Sequence, residues 1–117
     1  MKIPPTLQTE RLLIRPFTLA DVDDYQRVIH NDPAVMRHLP GGVIKAREET
    51  VTELQGYIDH GAQHGFGFEA IIERATGAFV GDVGLDHLDD QVAIGYTLGS
   101  AFWGRGYATE AARAVLD

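Results

Sequence analysis

The residues of this chain that could do chemistry are concentrated between positions 98 and 111. They read Leu98-Gly99-Ser100-Ala101-Phe102-Trp103-Gly104-Arg105-Gly106-Tyr107-Ala108-Thr109-Glu110-Ala111. An apolar run ending at Leu98 enters a loop with three glycines, and a helical pattern begins at Tyr107. Glycine lets backbone come close to a ligand. The first turn of a helix offers unpaired N–H groups and the positive end of its dipole. Strand end, glycine loop and helix start together describe an anion site, most often one for phosphate.

The kind of phosphate ligand narrows atom by atom. Gly99 and Gly104 have the spacing of a nucleoside-triphosphate loop, but Arg105 replaces its lysine and Gly106 its magnesium-binding hydroxyl residue. Gly104-Arg105-Gly106-Tyr107-Ala108-Thr109 begins like a dinucleotide fingerprint, yet Thr109 replaces the third glycine. Ser100 is no hydrolase elbow, because Leu98 and Phe102 stand where that turn needs glycines.

Other polar groups read as structural. His60 and His64 are four apart, but Gly61 and Gly65 interrupt them and no third ligand follows, so a solvated helix end is expected and no metal. His30, His38 and His87 are isolated and expected at the surface. Asp21, Asp23 and Asp24 read as a charge cluster in a first helical turn, and Glu110 as another such carboxylate. Trp103 reads as an anchor for the loop, and Tyr96 as core or as the wall of a slot. Arg105 is either a phosphate partner or a solvated charge. Phe66 and Phe68 are expected in the core.

The elements that must hold the loop follow from patterning. Arg11–Arg15, ended by Pro16, predicts a first strand. Thr18-Leu19-Ala20-Asp21 predicts a capped helix start, with Val22, Tyr25, Val28 and Ile29 inward and an end near Asn31-Asp32-Pro33. Pro40-Gly41-Gly42 is a loop. A second helix runs from Ala46, with Val51, Leu54 and Ile58 inward, and fails between Gly61 and Gly67. Phe68–Glu73 and Phe79–Leu85 predict a hairpin around Ala75-Thr76-Gly77. His87–Gln91 is expected to turn, Val92–Leu98 to form the next strand, and the last helix to bury Ala111, Ala112, Val115 and Leu116. The order β-α-α-β-β-β-α is an α/β or α+β arrangement with a mainly antiparallel sheet and flanking helices.

Composition bounds the remainder. The chain has 117 residues, 10 Lys+Arg against 17 Asp+Glu, and no cysteine. That length suits one core. Disulfides, thiolate zinc sites and cysteine nucleophiles are excluded. The acidic balance and scattered basic residues argue against nucleic acid as a partner. No run approaches the roughly 18 apolar residues of a membrane span, and Met1–Pro5 lacks the apolar run of a signal peptide, so a cytoplasmic protein with no membrane partner is expected.

Trp103-Gly104-Arg105-Gly106-Tyr107-Ala108 resembles the Gln/Arg-x-x-Gly-x-Gly/Ala motif of the GNAT superfamily of acyl-CoA N-acyltransferases. Its continuation through Thr109-Glu110-Ala111 looks like the branch that acetylates ribosomal-protein N-termini and its small-molecule relatives. Leu7–Pro16, Asp21 and Asn31-Asp32-Pro33 match that branch's opening; Gly77, Phe79-Val80-Gly81 and Gly84-Leu85 its hairpin; Ile94-Gly95-Tyr96 its fourth strand. The resemblance implies a GNAT-like fold over residues 7–117, as the N-terminal part of one domain behind a tail at 1–6. It implies acetyl-CoA as co-substrate and an amine acceptor, either a protein N-terminus or a small molecule. The backbone amides of Gly104, Arg105, Gly106, Tyr107, Ala108 and Thr109 would hold the pyrophosphate. The backbone of Tyr96, Thr97 and Leu98 would pair with the pantetheine arm, and an N–H near Leu98 would polarise the thioester.

Two departures bear on catalysis. The family often places a glutamate base just before Ile-Gly-Tyr, where this chain has Ala93; Glu69, Asp86, Asp89 and Asp90 are the carboxylates that could replace it. The family also continues beyond the motif helix with a fifth strand and a residue that handles the leaving thiolate. Without them Val92–Leu98 is an open edge, and a second copy is expected to cover it. The alternative is a truncated, non-catalytic module that binds coenzyme A or self-associates.

Overall fold

The computed structural model of the chain describes residues 6–38, 45–64, 67–88 and 91–116. Residues 1–5 of the tail expected at 1–6, the loop at Pro40–Gly42, Phe66, Asp89 and Asp90 lie outside the described residues. Among the described residues five strands form one sheet: β1 Leu7–Gln8, β2 Leu12–Arg15, β3 Phe68–Glu73, β4 Phe79–Leu88 and β5 Gln91–Leu98. They lie in sequence order and every neighbouring pair is antiparallel. The expected hairpin is present, with Gly77 at φ 77° in the turn. Glycine at 81 is a packing requirement, since a Cβ there would lie 2.0 Å from the Thr97 carbonyl oxygen of β5.

Helices cover both faces. A 3₁₀ turn, Leu19–Asp21, leads into α1, Val22–Tyr25, which continues as a π-helical turn over Gln26–His30. Asp21 accepts from the Thr18 N–H and takes a double hydrogen bond from Arg15 at 2.7 and 2.9 Å. The short helix α2, Pro33–Met36, starts on the Asp32 side chain, and α3 spans Arg47–His64. Phe17, Tyr25, Ile29, Met36 and Leu54 bury the sheet face carrying Ala70 and Phe79. On the opposite face α4, Tyr107–Leu116, buries Tyr107 and Ala111 against Leu12, Ile14, Ile71, Val83 and Leu98.

Several expectations are corrected. His30 is not at the surface: it is 1% exposed, with Nδ1 2.6 Å from the Thr50 hydroxyl and Nε2 3.2 Å from Glu53. That polar pairing turns Thr50 inward, and Val51, expected inside, is exposed. Leu116 is exposed too, because α4 packs through Ala108, Ala111, Ala114 and Val115 instead. Part of the turn expected over His87–Gln91 is strand: β4 persists to Leu88 and β5 begins at Gln91, with Leu88 opposite Gln91. Among the described residues no helix is long and apolar enough to cross a membrane.

Candidate anion-binding site

The glycine loop leaves β5 at Leu98, makes a 3₁₀ turn over Ser100–Phe102, and enters α4 at Tyr107. Gly104 and Gly106 take φ of 77° and 79°, the left-handed region that side chains disfavour. Their alternation with ordinary residues turns successive amides outward. None of the N–H groups from Gly104 to Thr109 has an acceptor among the described residues; the first helical bond is from Glu110 N–H to the Gly106 carbonyl at 3.1 Å. A run of open donors at a helix start favours an anion electrostatically.

The loop is held from four sides. The Gly99 N–H donates to the Val80 carbonyl of β4 at 2.9 Å. Ser100 donates its N–H and hydroxyl to Asp32 Oδ2 at 3.0 and 2.6 Å. These bonds, the hydroxyl foremost, hold the Asp32 carboxyl below its ordinary pKa. The Trp103 indole donates to the Leu98 carbonyl at 3.0 Å, which makes it the expected anchor. Arg11, just before β2, donates through Nη1 to the Arg105 carbonyl at 2.8 Å and through Nε to Glu110 at 2.7 Å. Glu110 also accepts from the Arg11 N–H at 2.9 Å and from the Thr9 hydroxyl, while the Arg11 guanidinium lies 4.5 Å over the Tyr107 ring. Glu110 is therefore structural, as expected.

Arg105 is half-exposed, 3.5 Å from Glu73 and over the Phe102 ring at 5.5 Å. Glu73 also accepts from the Tyr107 hydroxyl at 2.5 Å. Its hydrogen bonds from Thr76 and Tyr107 keep it below the ordinary carboxylate range.

A cavity of about 400 Å³ opens between the end of β5 and the first turn of α4. Tyr96, Thr97 and Leu98 line it from the strand, Trp103, Gly104 and Gly106 from the loop, and Tyr107, Ala108 and Thr109 from the helix. All the expected site residues except Arg105 border this one space. Tyr96 is 55% exposed, so it is a wall and not core. Because Gly99 N–H bonds Val80, ladder alternation turns the N–H groups of Leu98 and Tyr96 to the open edge and those of Thr97 toward β4.

The carboxylates behind this site separate clearly. Glu69 shares a cross-strand row with Val83 and Tyr96; its Oε2 is buried without a partner, and burial raises its pKa. Asp82, opposite Thr97, is 2% exposed and accepts from the Tyr25 hydroxyl at 2.6 Å. Burial pushes its carboxyl up to about 7. The register pairs Ala93 with Asp86. No group of three metal-ligating side chains occurs among the described residues. Sequence patterning gave Arg11 and Asp32 no part in this site; only Asp32 carried a local signal, as the residue before Pro33.

A family model described as the acetyltransferase (GNAT) domain matches residues 11–117. The uncharacterized N-acetyltransferase p20 of Bacillus licheniformis is 29% identical over 118 residues, 96% of this chain and 64% of p20. The crystal structure of a GNAT-family acetyltransferase from Bacillus anthracis matches at 25% identity and TM-score 0.80, covering 96% of this chain and 64% of that one. The fold is also shared with RimL, described as a ribosomal L7/L12 alpha-N-protein acetyltransferase in complex with coenzyme A. There identity is 19% and TM-score 0.75, over 94% of this chain and 64% of that one. The chain thus spans about two thirds of the length of the relatives and solved structures it matches, 61% to 70%.

Proposed function

Because the chain belongs to the GNAT acetyltransferase family, we propose that it binds acetyl-CoA and serves the direct transfer of its acetyl group to an amine. The single observation that supports this most is the run of unpartnered N–H groups from Gly104 to Thr109 beside the cavity lined by β5. These donors suit a pyrophosphate, and the cavity suits the pantetheine arm that follows it. The open edge at Tyr96 and Leu98 offers N–H groups to that arm, with the Leu98 carbonyl already taken by Trp103.

The chemistry follows from the groups. A neutral amine attacks the thioester carbon, its N–C bond forms, and the carbonyl oxygen takes negative charge. An edge N–H at Leu98 or Tyr96 stabilises that oxygen. Collapse breaks the C–S bond while the nitrogen sheds its extra proton to the leaving sulfur or to solvent, so coenzyme A departs as thiol or as thiolate. The amine must first lose a proton. The acceptor, a protein N-terminus or a small molecule, is proposed on the family's chemistry. The β5 edge is unpaired among the described residues, and a second copy pairing along it is the proposed partner; sedimentation at rising concentration tests it.

Ala93, standing where the family often has glutamate, favours a second reading, coenzyme binding without turnover. Calorimetric titration of the chain with acetyl-CoA tests the shared premise. Saturable binding is the expected result, and absence of heat at millimolar ligand would overturn it. Acetylation of an amine panel then separates the two readings.

A further inference from the structure

The cavity beside β5 has a wall that neither the glycine loop nor α4 supplies. Val35 of α2 and His38, in the turn that ends it, also line it. The His38 side chain is exposed, and its N–H donates to the Val35 carbonyl at 3.1 Å. Asp32, which caps α2, also takes both Ser100 bonds, so the element carrying His38 is tied to the loop carrying Trp103. The His38 and Trp103 rings lie 6.2 Å apart, tilted by 58°. The indole in turn holds the Leu98 carbonyl. The imidazole thus stands one ring away from the strand end whose edge N–H would polarise a thioester.

That cavity is short of bases. Among the described residues that line it there is no carboxylate, lysine or arginine. Glu69 and Asp82 do not border it. Tyr96 and Tyr107 do, but phenols hold their proton at neutral pH. The bond from the Tyr107 hydroxyl to Glu73 raises that phenol further. The His38 ring makes no hydrogen bond or ion pair among the described residues. Imidazole is the side chain that takes up and releases a proton near neutral pH. Of the charged groups on the adjoining elements, Asp32 is engaged by Ser100, Arg105 lies beside Glu73, and Arg37 is exposed.

We propose that His38 is the general base of the transfer, the role that Ala93 leaves open. This rests on the coenzyme reading above. A ring nitrogen of His38 takes a proton from the acceptor's ammonium, and the pair of the broken N–H bond stays on nitrogen. That pair forms the N–C bond to the thioester carbon, and the C–S pair leaves with sulfur. The nitrogen's extra proton passes to the departing sulfur or to solvent. Exposed His38 returns its own proton to water.

The first test is NMR of the imidazole signals, with that of His38 identified by its absence in His38→Gln. Acetyl-CoA should move it; adenosine 3′,5′-bisphosphate, which lacks the pantetheine arm, should not. Acetyl-CoA bound with the signal unmoved would overturn the proposal and leave the coenzyme reading standing. Absence of acetyl-CoA binding would overturn both. The second test is transfer to benzylamine, 1,4-diaminobutane and an alanine-terminated peptide. His38→Gln should lower kcat at pH 7 about a hundredfold, with acetyl-CoA affinity unchanged. The loss should close above the amine's own pKa, where no base is needed. Imidazole in solution should restore part of the rate of His38→Ala. A loss equal at every pH would reduce the ring to packing on Trp103 and overturn the proposal. So would a chain that binds acetyl-CoA and acetylates none of the three.

Discussion

Asp32 and Ser100 lie 68 positions apart, and one carboxylate oxygen of Asp32 accepts from both the N–H and the hydroxyl of Ser100. The other oxygen caps α2 at the Ala34 N–H, 3.0 Å away. A single side chain thus starts a helix on one sheet face and ties down the loop that leads to the other.

Asp32→Ala should therefore act twice. Loss of a helix cap costs about 1 kcal/mol, and loss of the Ser100 bonds adds a comparable amount. Ser100→Ala removes only the hydroxyl bond and should cost less. Thermal unfolding of the two variants ranks the losses, and coenzyme titration should show weaker binding for Asp32→Ala than for Ser100→Ala.

Gly106→Val should abolish coenzyme binding. The residue sits at φ 79°, and a β-branched side chain there is strained. Its Cβ would also stand 3.4 Å from Arg11 Nη2, beside the amides proposed to hold the pyrophosphate. Unchanged affinity for acetyl-CoA in calorimetry would remove the loop from the site.

Arg11→Lys keeps the charge and loses the fork that joins Glu110 to the Arg105 carbonyl. The Arg11 side chain is 43% exposed, so screening limits the stability cost to about 1 kcal/mol or less. The effect on coenzyme affinity should be larger, several-fold, because the Arg105–Gly106 peptide loses its support. Equal affinity of Arg11→Lys and the parent chain, read by calorimetry, would show that this strap does not shape the loop.

Asp82 should make the fold lose stability as pH rises. Its folded pKa of about 7 lies above the unfolded value near 3.9. Between those two pH values the folded state holds the extra proton, so stability falls with rising pH and levels off above about 7. Most other shifted carboxylates (Asp21, Asp32, Glu53, Glu73, Glu110) are lowered and act in the opposite sense, at more acid pH. Asp82→Asn should raise the melting temperature at pH 8 and flatten the slope from pH 5 to 8. A slope identical to that of the parent chain would place the proton elsewhere.

What was legible in the sequence was local. Phe68–Glu73 is bounded by glycine and a turn, and its strand begins and ends where expected. The start of α4 at Tyr107 follows from three glycines and an alanine-rich helical pattern. The burial of His30 was not legible, because Thr50 and Glu53, its partners, come from α3 and meet it only when α1 and α3 pack. The two-residue β1, the π-helical turn and α2 are too short for periodicity to register. In the site, the glycine loop announced itself, while the straps that shape it did not. Arg11 reaches Arg105 across 94 positions, a distance at which sequence spacing carries no signal.

That long reach sets an order of events. The loop's amides are contiguous in sequence, but their presentation depends on Thr9 and Arg11 meeting Glu110 from 101 and 99 positions away. Closing so large a loop is an entropic cost met late, after local turns and the β3–β4 hairpin. The candidate site is then expected to open before the β3–β4 hairpin does, which hydrogen exchange at the two would read. A bound coenzyme, by holding α4 against the opening segment, would draw the two distant stretches into one cooperative unit and slow its opening.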